Sequence, residues 1–278
     1  MIRLLAYAKL NLSLRVLGRR PDGFHEIDSL IQTIDLADTI SVEMIQSGVT
    51  VENNCGIPSG EDLAGRAAQL LLAEKRDPRG ARITVEKRIP VGAGLGGGSS
   101  DAAATLWALN QLTPPPLPSE HMLRLATHLG SDVPLFLTGG RMRVSGKGEK
   151  IIPLPSNLQE HFLLLIPPAH CDTASVYAHF DRLTPSTGQA LTEAPLGRND
   201  LEAAALYLYP ALVPYREAVD SLSGLYCGMS GSGATFFAVF SAVKAARASQ
   251  KELSVSFPEA KIHLHSPTHT GYCVERSH

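Results

Sequence analysis

The 278-residue chain is 44% hydrophobic and carries a formal net charge of −2 at pH 7, a balance typical of a globular protein. This charge gives no general attraction to nucleic acid or anionic membranes, and no apolar run reaches the ~18 residues of a membrane helix. The four cysteines are scattered without disulfide or zinc spacing, so we expect a cytoplasmic protein that binds small molecules, without a nucleic-acid or membrane partner.

The first elements of the chain are strands. From Lys9 to Val16, leucine alternates with polar residues, the two-residue period of a strand with one face in the core. Lys9 and Asn11 therefore point the same way, about 7 Å apart along the strand. A turn at Pro21 to Gly23 follows, and the pattern then predicts strands at 27–35 and 39–44, a helix at 63–75 and a strand at 81–85.

The next feature is a glycine-rich loop. Residues 90–101 read PVGAGLGGGSSD and run into an alanine-rich segment that predicts a helix. Glycine lets backbone N–H groups approach a ligand closely, and the first turn of a helix leaves free donors and a partial positive charge at the same place. The loop therefore predicts a phosphate site, because phosphates are commonly held this way.

Other interpretations of this loop fit less well. A Walker loop requires lysine after its last glycine, and Ser99 stands there. The G-x-G-x-x-G match at Gly92, Gly94 and Gly97 lacks the buried strand that precedes it in a Rossmann fold, and no protein-kinase motif follows. A flexible linker is disfavoured because the loop runs directly into a helix.

Another predicted helix follows the glycine-rich loop, and the second half of the chain begins further on. Ser119 is the candidate N-cap and Gly130 the C-terminal stop of a predicted helix with the residues MLRLATHL, which leaves Asp132 in the segment beyond its end. A boundary at 155/156 precedes a strand at 162–166, and a second glycine-serine loop at 228–234 runs into a strand at 235–240. From this pattern alone, a solvated strand face is the more common role for a residue such as Lys9, and a cap or turn for one such as Asp132.

Six segments taken together resemble the GHMP small-molecule kinases. They follow the family's order along nearly the whole chain: AKLNL at 8–12, DGFHEI at 22–27, GLGGGSSDAA at 94–103, GSDVP at 130–134, NDLE at 199–202 and MSGSGATFF at 229–237. The resemblance implies an α+β fold of two domains. Residues 1–155 would form an ATP-binding domain like ribosomal protein S5 domain 2, and residues 156–278 a ferredoxin-like domain that completes the substrate cleft.

The resemblance also implies an activity, which is phosphoryl transfer from ATP, with Mg²⁺, to a hydroxyl of a small CDP-linked polyol. In the matching positions, Lys9 and Asp132 would be the catalytic pair, with Asp132 taking the proton of the acceptor hydroxyl. The residues implied to bind ATP are Pro90, Val91, Gly92, Ala93, Gly94, Leu95, Gly96, Gly97, Gly98, Ser99 and Ser100. Those implied to bind the cytidine diphosphate end are Asn11, Phe24, His25, Thr173 and Tyr177.

The chain departs from the family pattern at two positions. Phe24 stands where tyrosine is common, which keeps ring stacking but removes a phenol, and Asp62 stands where asparagine is usual near the adenine pocket. We therefore assign no adenine contacts, and the sequence identifies no magnesium ligand and no oligomeric state. Lys147 fits either a phosphate contact or a solvated turn.

Three other functions stay open at this point. Two belong to the same family, a homoserine kinase and a diphosphomevalonate decarboxylase. The third is a silent nucleotide-binding protein, which would be expected to lack one member of the pair Lys9 and Asp132, and both are present.

Overall fold

The computed structural model describes residues 1–183 and 195–275. In this part of the chain, a seven-stranded sheet has the order β11-β1-β2-β4-β3, with β5 paired to β2 and β6 to β5. All of these pairs are antiparallel except β3 with β4. The strands are β1 (Ile2–Arg19), β2 (His25–Ile45), β3 (Val49–Asn53), β4 (Gly80–Glu86), β5 (Arg141–Gly146), β6 (Lys150–Leu154) and β11 (Tyr272–Val274).

The long β1–β2 hairpin differs from the sequence prediction in two ways. The strands predicted at 27–35 and 39–44 form one strand, because a bulge opposite Tyr7 and Ala8 takes up Asp35 and Leu36 and lets pairing continue. The polar side of β1 is also buried, with Lys9 only 4% exposed, because the glycine-rich loop and the second half of the chain cover it.

Four helices pack on this sheet in the first half of the chain: α1 (Leu63–Lys75), α2 (Gly97–Leu112), α3 (Ser119–Leu129) and α4 (Val133–Thr138). The bounds of α1 agree with the prediction, and its glycine has a packing reason. A Cβ on Gly65 would lie 2.9 Å from the Ser59 carbonyl oxygen and from a methyl group of Val51, so only glycine fits against β3. The short helix α4 was not predicted.

A smaller, four-stranded antiparallel sheet forms the second half of the described chain, with the order β10-β7-β9-β8. Its strands are β7 (His161–Ile166), β8 (Tyr226–Met229), β9 (Phe236–Phe240) and β10 (Lys261–His265). The helices are α5 (Thr173–Leu183), α6 (Glu202–Leu208), α7 (Val213–Asp220) and α8 (Val243–Ser256), with a 3₁₀ turn at Pro210–Leu212. This β-α-β-β-α-β order is the expected ferredoxin-like arrangement.

The two halves are joined through β1 and the smaller sheet. The apolar side chains of β1, including Leu10 and Leu12, pack on Phe162 and Phe237 in a buried cluster between the sheets. In addition, β11 brings the end of the described chain back to the first sheet. This packing holds the two halves of the described chain against each other. The cleft opens between them, next to the polar residues of β1. None of the described helices has the length and apolar character needed to cross a membrane.

Candidate active site

A cleft of about 1100 Å³ opens where the two halves meet. It is lined by the glycine-rich loop, the polar side of β1, the segment between α3 and α4, one face of α5 and the second glycine-serine loop. Of the predicted site residues, all but Ser100 line this cleft. Ser100 is buried and donates its hydroxyl to the Tyr7 carbonyl oxygen at 2.7 Å, so this hydroxyl joins α2 to β1 instead of facing a ligand.

The glycine-rich loop contains backbone conformations that are strained in residues other than glycine. Gly94 has a φ of +76°, and a Cβ there would lie 2.2 Å from the Ser230 carbonyl oxygen. Gly96, with a φ of +72°, is the N-cap of α2 and contributes no side-chain cap. The N–H groups of residues 97–99 precede the first helical hydrogen bond of α2, from Ser100 N to the Gly96 carbonyl oxygen at 3.0 Å. These amides have the arrangement in which helix N-termini commonly bind anions.

Lys9 and Asp132 lie together in the cleft. Their Nζ and Oδ2 atoms are 3.9 Å apart, an ion-pair distance. The Lys9 side chain is almost fully enclosed, whereas the Asp132 side chain is 40% exposed. Asp132 precedes α4 in the N-cap position, but its carboxylate accepts no capping hydrogen bond, so it is available to a ligand. The cleft therefore presents one cation and one carboxylate side by side.

The charge of Lys9 is controlled by its surroundings. Burial lowers the pKa of the Lys9 ammonium below its ordinary value, and the negative charge of Asp132 partly opposes this shift. The ammonium donates to Asn11 Oδ1 at 2.5 Å, and Asn11 Nδ2 donates to Ser29 Oγ at 2.7 Å. Asn11 thus has both ends of its amide engaged and orients the lysine.

The second glycine-serine loop (228–234) is hydrogen-bonded to the glycine-rich loop. Ser230 Oγ donates to the Gly94 carbonyl oxygen at 2.9 Å and accepts from Asn11 N at 3.2 Å. Asn199 Nδ2 in turn donates to the carbonyl oxygens of Met229 and Gly231 at 2.8 and 2.7 Å. The sequence marked both segments as motifs but did not predict the roles of Ser230 and Asn199, because their partners lie elsewhere in the chain.

A buried charge cluster of Lys87, Asp38 and Asp101 lies next to the glycine-rich loop. Lys87 Nζ lies 2.5 Å from an Asp38 oxygen and 2.6 Å from an Asp101 oxygen, and the other Asp38 oxygen accepts from the backbone N–H groups of Arg88 and Ile89. Burial raises the pKa of Asp101 well above its usual range, and the Lys87 ammonium partly offsets this rise. The cluster ties the end of β4 to α2 and so fixes both ends of the loop. No local pattern in the sequence marks this cluster.

Aromatic side chains also line the cleft. The rings of His25 and Tyr177 stack with centroids 4.6 Å apart, and His25 Nε2 lies 2.7 Å from Asp181 Oδ1. Phe24 is 54% exposed, with the Lys147 ammonium 4.8 Å from the centre of its ring. Thr173, which also lines the cleft, shares a 2.8 Å hydrogen bond with Ser232. These residues offer ring faces and polar groups of the kind that bind a base.

The described residues contain no cluster of three or more His, Cys, Asp and Glu side chains that could hold a metal ion by themselves. Magnesium, however, commonly takes only one or two protein oxygens and completes its ligands with phosphate and water. The half-buried Ser99 lines the cleft at the start of α2 and offers such an oxygen. The donor set is therefore compatible with a metal that arrives with a nucleotide.

Comparison with known proteins agrees with this architecture. The models of the GHMP kinase N-terminal and C-terminal domains match residues 62–140 and 185–253. The chain belongs to the GHMP kinase family, which confirms the resemblance inferred from the motifs.

Two of the similar curated relatives carry the same description. The 4-diphosphocytidyl-2-C-methyl-D-erythritol kinase of Desulfitobacterium hafniense is 39% identical over 253 residues, which is 86% of this chain and 87% of the relative. The enzyme of that description from Thiobacillus denitrificans is 40% identical over 87% of each chain.

Solved structures show the same relation. A crystal structure of 4-(cytidine 5'-diphospho)-2C-methyl-D-erythritol kinase superposes with a TM-score of 0.80 at 36% identity, covering 95% of this chain and 98% of the other. A homoserine kinase from Cytophaga hutchinsonii, at 18% identity, reaches 0.77 over 99% of this chain and 97% of its own. The latter likeness concerns the fold alone.

Proposed function

We propose that this GHMP kinase transfers the γ-phosphoryl group of ATP to the 2-hydroxyl of 4-diphosphocytidyl-2-C-methyl-D-erythritol, a step of the mevalonate-independent isoprenoid precursor pathway. The observation that carries the proposal is the ion pair of Lys9 and Asp132, set in one cleft with an amide-rich loop. Relatives that cover most of the chain at about 40% identity supply the name of the substrate.

In this proposal, Asp132 accepts the proton of the 2-hydroxyl while that oxygen bonds to the γ-phosphorus. The bond between the γ-phosphorus and the bridging oxygen breaks, and ADP leaves. Lys9 keeps the carboxylate in place and favours its ionised form, and its charge stabilises the developing negative charge of the transition state. The present 3.9 Å separation tightens once the hydroxyl is bound.

The remaining predicted residues position the two substrates. The backbone amides from Gly94 to Ser99 hold the phosphate oxygens of ATP, and Phe24, His25 and Tyr177 hold the cytosine base. Bound Mg²⁺ would neutralise charge on the β- and γ-phosphates, with the Ser99 hydroxyl as a ligand. The reaction requires no nucleic acid and no membrane. The scattered cysteines, which are unpaired in the described residues, fit a reducing cytoplasm.

A substrate panel tests this assignment. Purified protein with ATP and Mg²⁺ is supplied with the CDP-linked methylerythritol, homoserine, mevalonate or diphosphomevalonate, and ADP release is measured. We expect release with the first compound at a kcat/KM at least about a hundredfold above the others, since only this compound has a base that can contact Phe24, His25 and Tyr177. Equal or greater turnover of homoserine or either mevalonate compound would refute the proposal.

A further inference from the structure

His25 and Asp181 form a pair that the proposed reaction leaves unexplained. The His25 side chain is 12% exposed, and Asp181, although 156 residues away in sequence, lies 2.7 Å from its Nε2 atom. Both Asp181 and Tyr177 belong to α5 and are four residues apart, so they lie on the same face of the helix. Tyr177 supports the face of the imidazole ring, and Asp181 takes a hydrogen bond at its edge.

This contact determines which ring nitrogen carries the proton. An ionised carboxylate only accepts hydrogen bonds, so Nε2 of His25 must be the donor to Asp181. In a neutral imidazole, the other nitrogen, Nδ1, then has a lone pair and can only accept. Among residues 1–183 and 195–275, Asp181 is the sole hydrogen-bond partner of this ring. Nδ1 is therefore left for a ligand in the cleft.

We propose that Asp181 is a positioning residue that fixes His25 in its Nε2-protonated form, so that the cleft prefers a pyrimidine with an amino group at C4 to one with a carbonyl there. Cytosine presents an N–H₂ donor at that position, whereas a uracil-type base presents an O4 acceptor. The lone pair of Nδ1 can accept a hydrogen bond from the cytosine amino group. When Nδ1 faces O4 of a uracil-type base, both atoms are acceptors, so no hydrogen bond forms and their lone pairs repel each other. The inference rests on the proposed function and adds the residue that selects the base.

The size of the effect follows from the cost of an unpaired polar group. A site built to bond an amino group rejects an analogue that lacks it by a large factor, because the buried acceptor is left without a partner. We expect the wild-type kcat/KM to favour the CDP-linked methylerythritol over its UDP-linked analogue by at least about a hundredfold.

The test compares the wild type with Asp181→Asn, which keeps the shape of the side chain. The asparagine amide can either accept from Nε2 or donate to it, so it no longer fixes the proton. We expect the ratio of kcat/KM for the CDP-linked and UDP-linked substrates to fall at least about tenfold, mainly through KM for the CDP-linked compound, with KM for ATP unchanged. Arg182→Gln, an exposed change next to Asp181 on α5, is the matched control and should keep the wild-type ratio.

A second readout does not depend on activity. The ¹⁵N NMR shifts of the His25 ring, assigned by their loss in His25→Gln, should show a protonated Nε2 and an unprotonated Nδ1 in the wild type at pH 8. In Asp181→Asn they should show a mixture of the two neutral forms. A change in overall packing alone would not move these shifts in this way.

Each outcome decides the inference. A wild type that phosphorylates the CDP-linked substrate without preferring it to the UDP-linked one overturns the role of Asp181 and leaves the proposed function intact. An unchanged substrate ratio in Asp181→Asn overturns it as well. Absence of turnover with either substrate contradicts the proposed function, and the NMR shifts then decide the inference alone, since a mixed protonation state in the wild type would reject it.

Discussion

At the scale of single residues, the most informative group is Lys9, a buried lysine that lies beside a carboxylate. The Lys9 side chain extends from β1 and is enclosed by the two glycine loops. Burying an unpaired ammonium in such a place costs free energy. Asn11 and Asp132 compensate for this cost by accepting its hydrogen bond and balancing its charge. An enclosed cation whose pKa is lowered by burial and whose partner faces a cleft is typical of a functional site.

This environment predicts a pH dependence. Because burial lowers the Lys9 pKa, the ammonium loses its proton at a lower pH than an ordinary lysine, and kcat should fall on the alkaline side below pH 10.5. Lys9→Arg keeps its charge at every pH that the fold tolerates. We therefore expect this variant to have a reduced kcat but an alkaline limb shifted upward, measured as kcat from pH 6 to 10.5. An alkaline limb that stays in place in Lys9→Arg would show that another group causes it.

At the scale of elements, two loops from distant parts of the chain form one unit. The glycine-rich loop is held by Ser230 on one side and by the Lys87 cluster on the other. Thr235 adds a hydrogen bond from its hydroxyl to the Ala93 carbonyl oxygen at 2.7 Å. The loop is therefore shaped before a nucleotide arrives, which reduces the entropy lost on binding.

The positions of two glycines predict opposite effects on stability. Gly94→Ala places a methyl group 2.2 Å from the Ser230 carbonyl oxygen and forces a positive φ on alanine, so unfolding free energy should fall by about 1–3 kcal/mol or more. Gly98→Ala is the control, because its Cβ meets only a Leu63 methyl at an ordinary 3.6 Å inside α2. Because alanine has a higher helix propensity than glycine, the unfolding free energy of this variant should be unchanged or higher by up to about 1 kcal/mol.

Urea unfolding of both variants, without ligand, measures the difference. Equal stability of the Gly94→Ala variant and the wild type would show that the loop adapts freely and is not preformed.

Some of these features could be predicted from the sequence and others could not, for a physical reason. The glycine-rich loop was predictable because its chemistry requires a continuous run of small residues before a helix. The charge cluster of Lys87 and the hydrogen bonds of Ser230 were not, since each depends on partners that only the folded chain brings together. The bulge in β2 was missed because its cause lies in the pairing with β1.

At the scale of the whole molecule, the site exists only where the two halves meet. Lys9 and Asp132 come from the first half, and Thr173, Tyr177 and the second glycine-serine loop come from the second. The α+β fold was predictable from motifs spread along the chain. The partnership of His25 with Asp181 was not, because it spans 156 residues and no local pattern marks it.

The central claim is that one cleft aligns a nucleotide with an alcohol held by Lys9 and Asp132. Single-turnover transfer of ³²P from γ-labelled ATP to the CDP-linked methylerythritol tests it most directly, with Asp132→Asn beside the wild type and ATP affinity measured separately. We predict that the variant binds ATP within about twofold of the wild type but transfers the label at least about a hundredfold more slowly, because it lacks the carboxylate that we propose takes the proton. Transfer at the wild-type rate in Asp132→Asn would contradict the account.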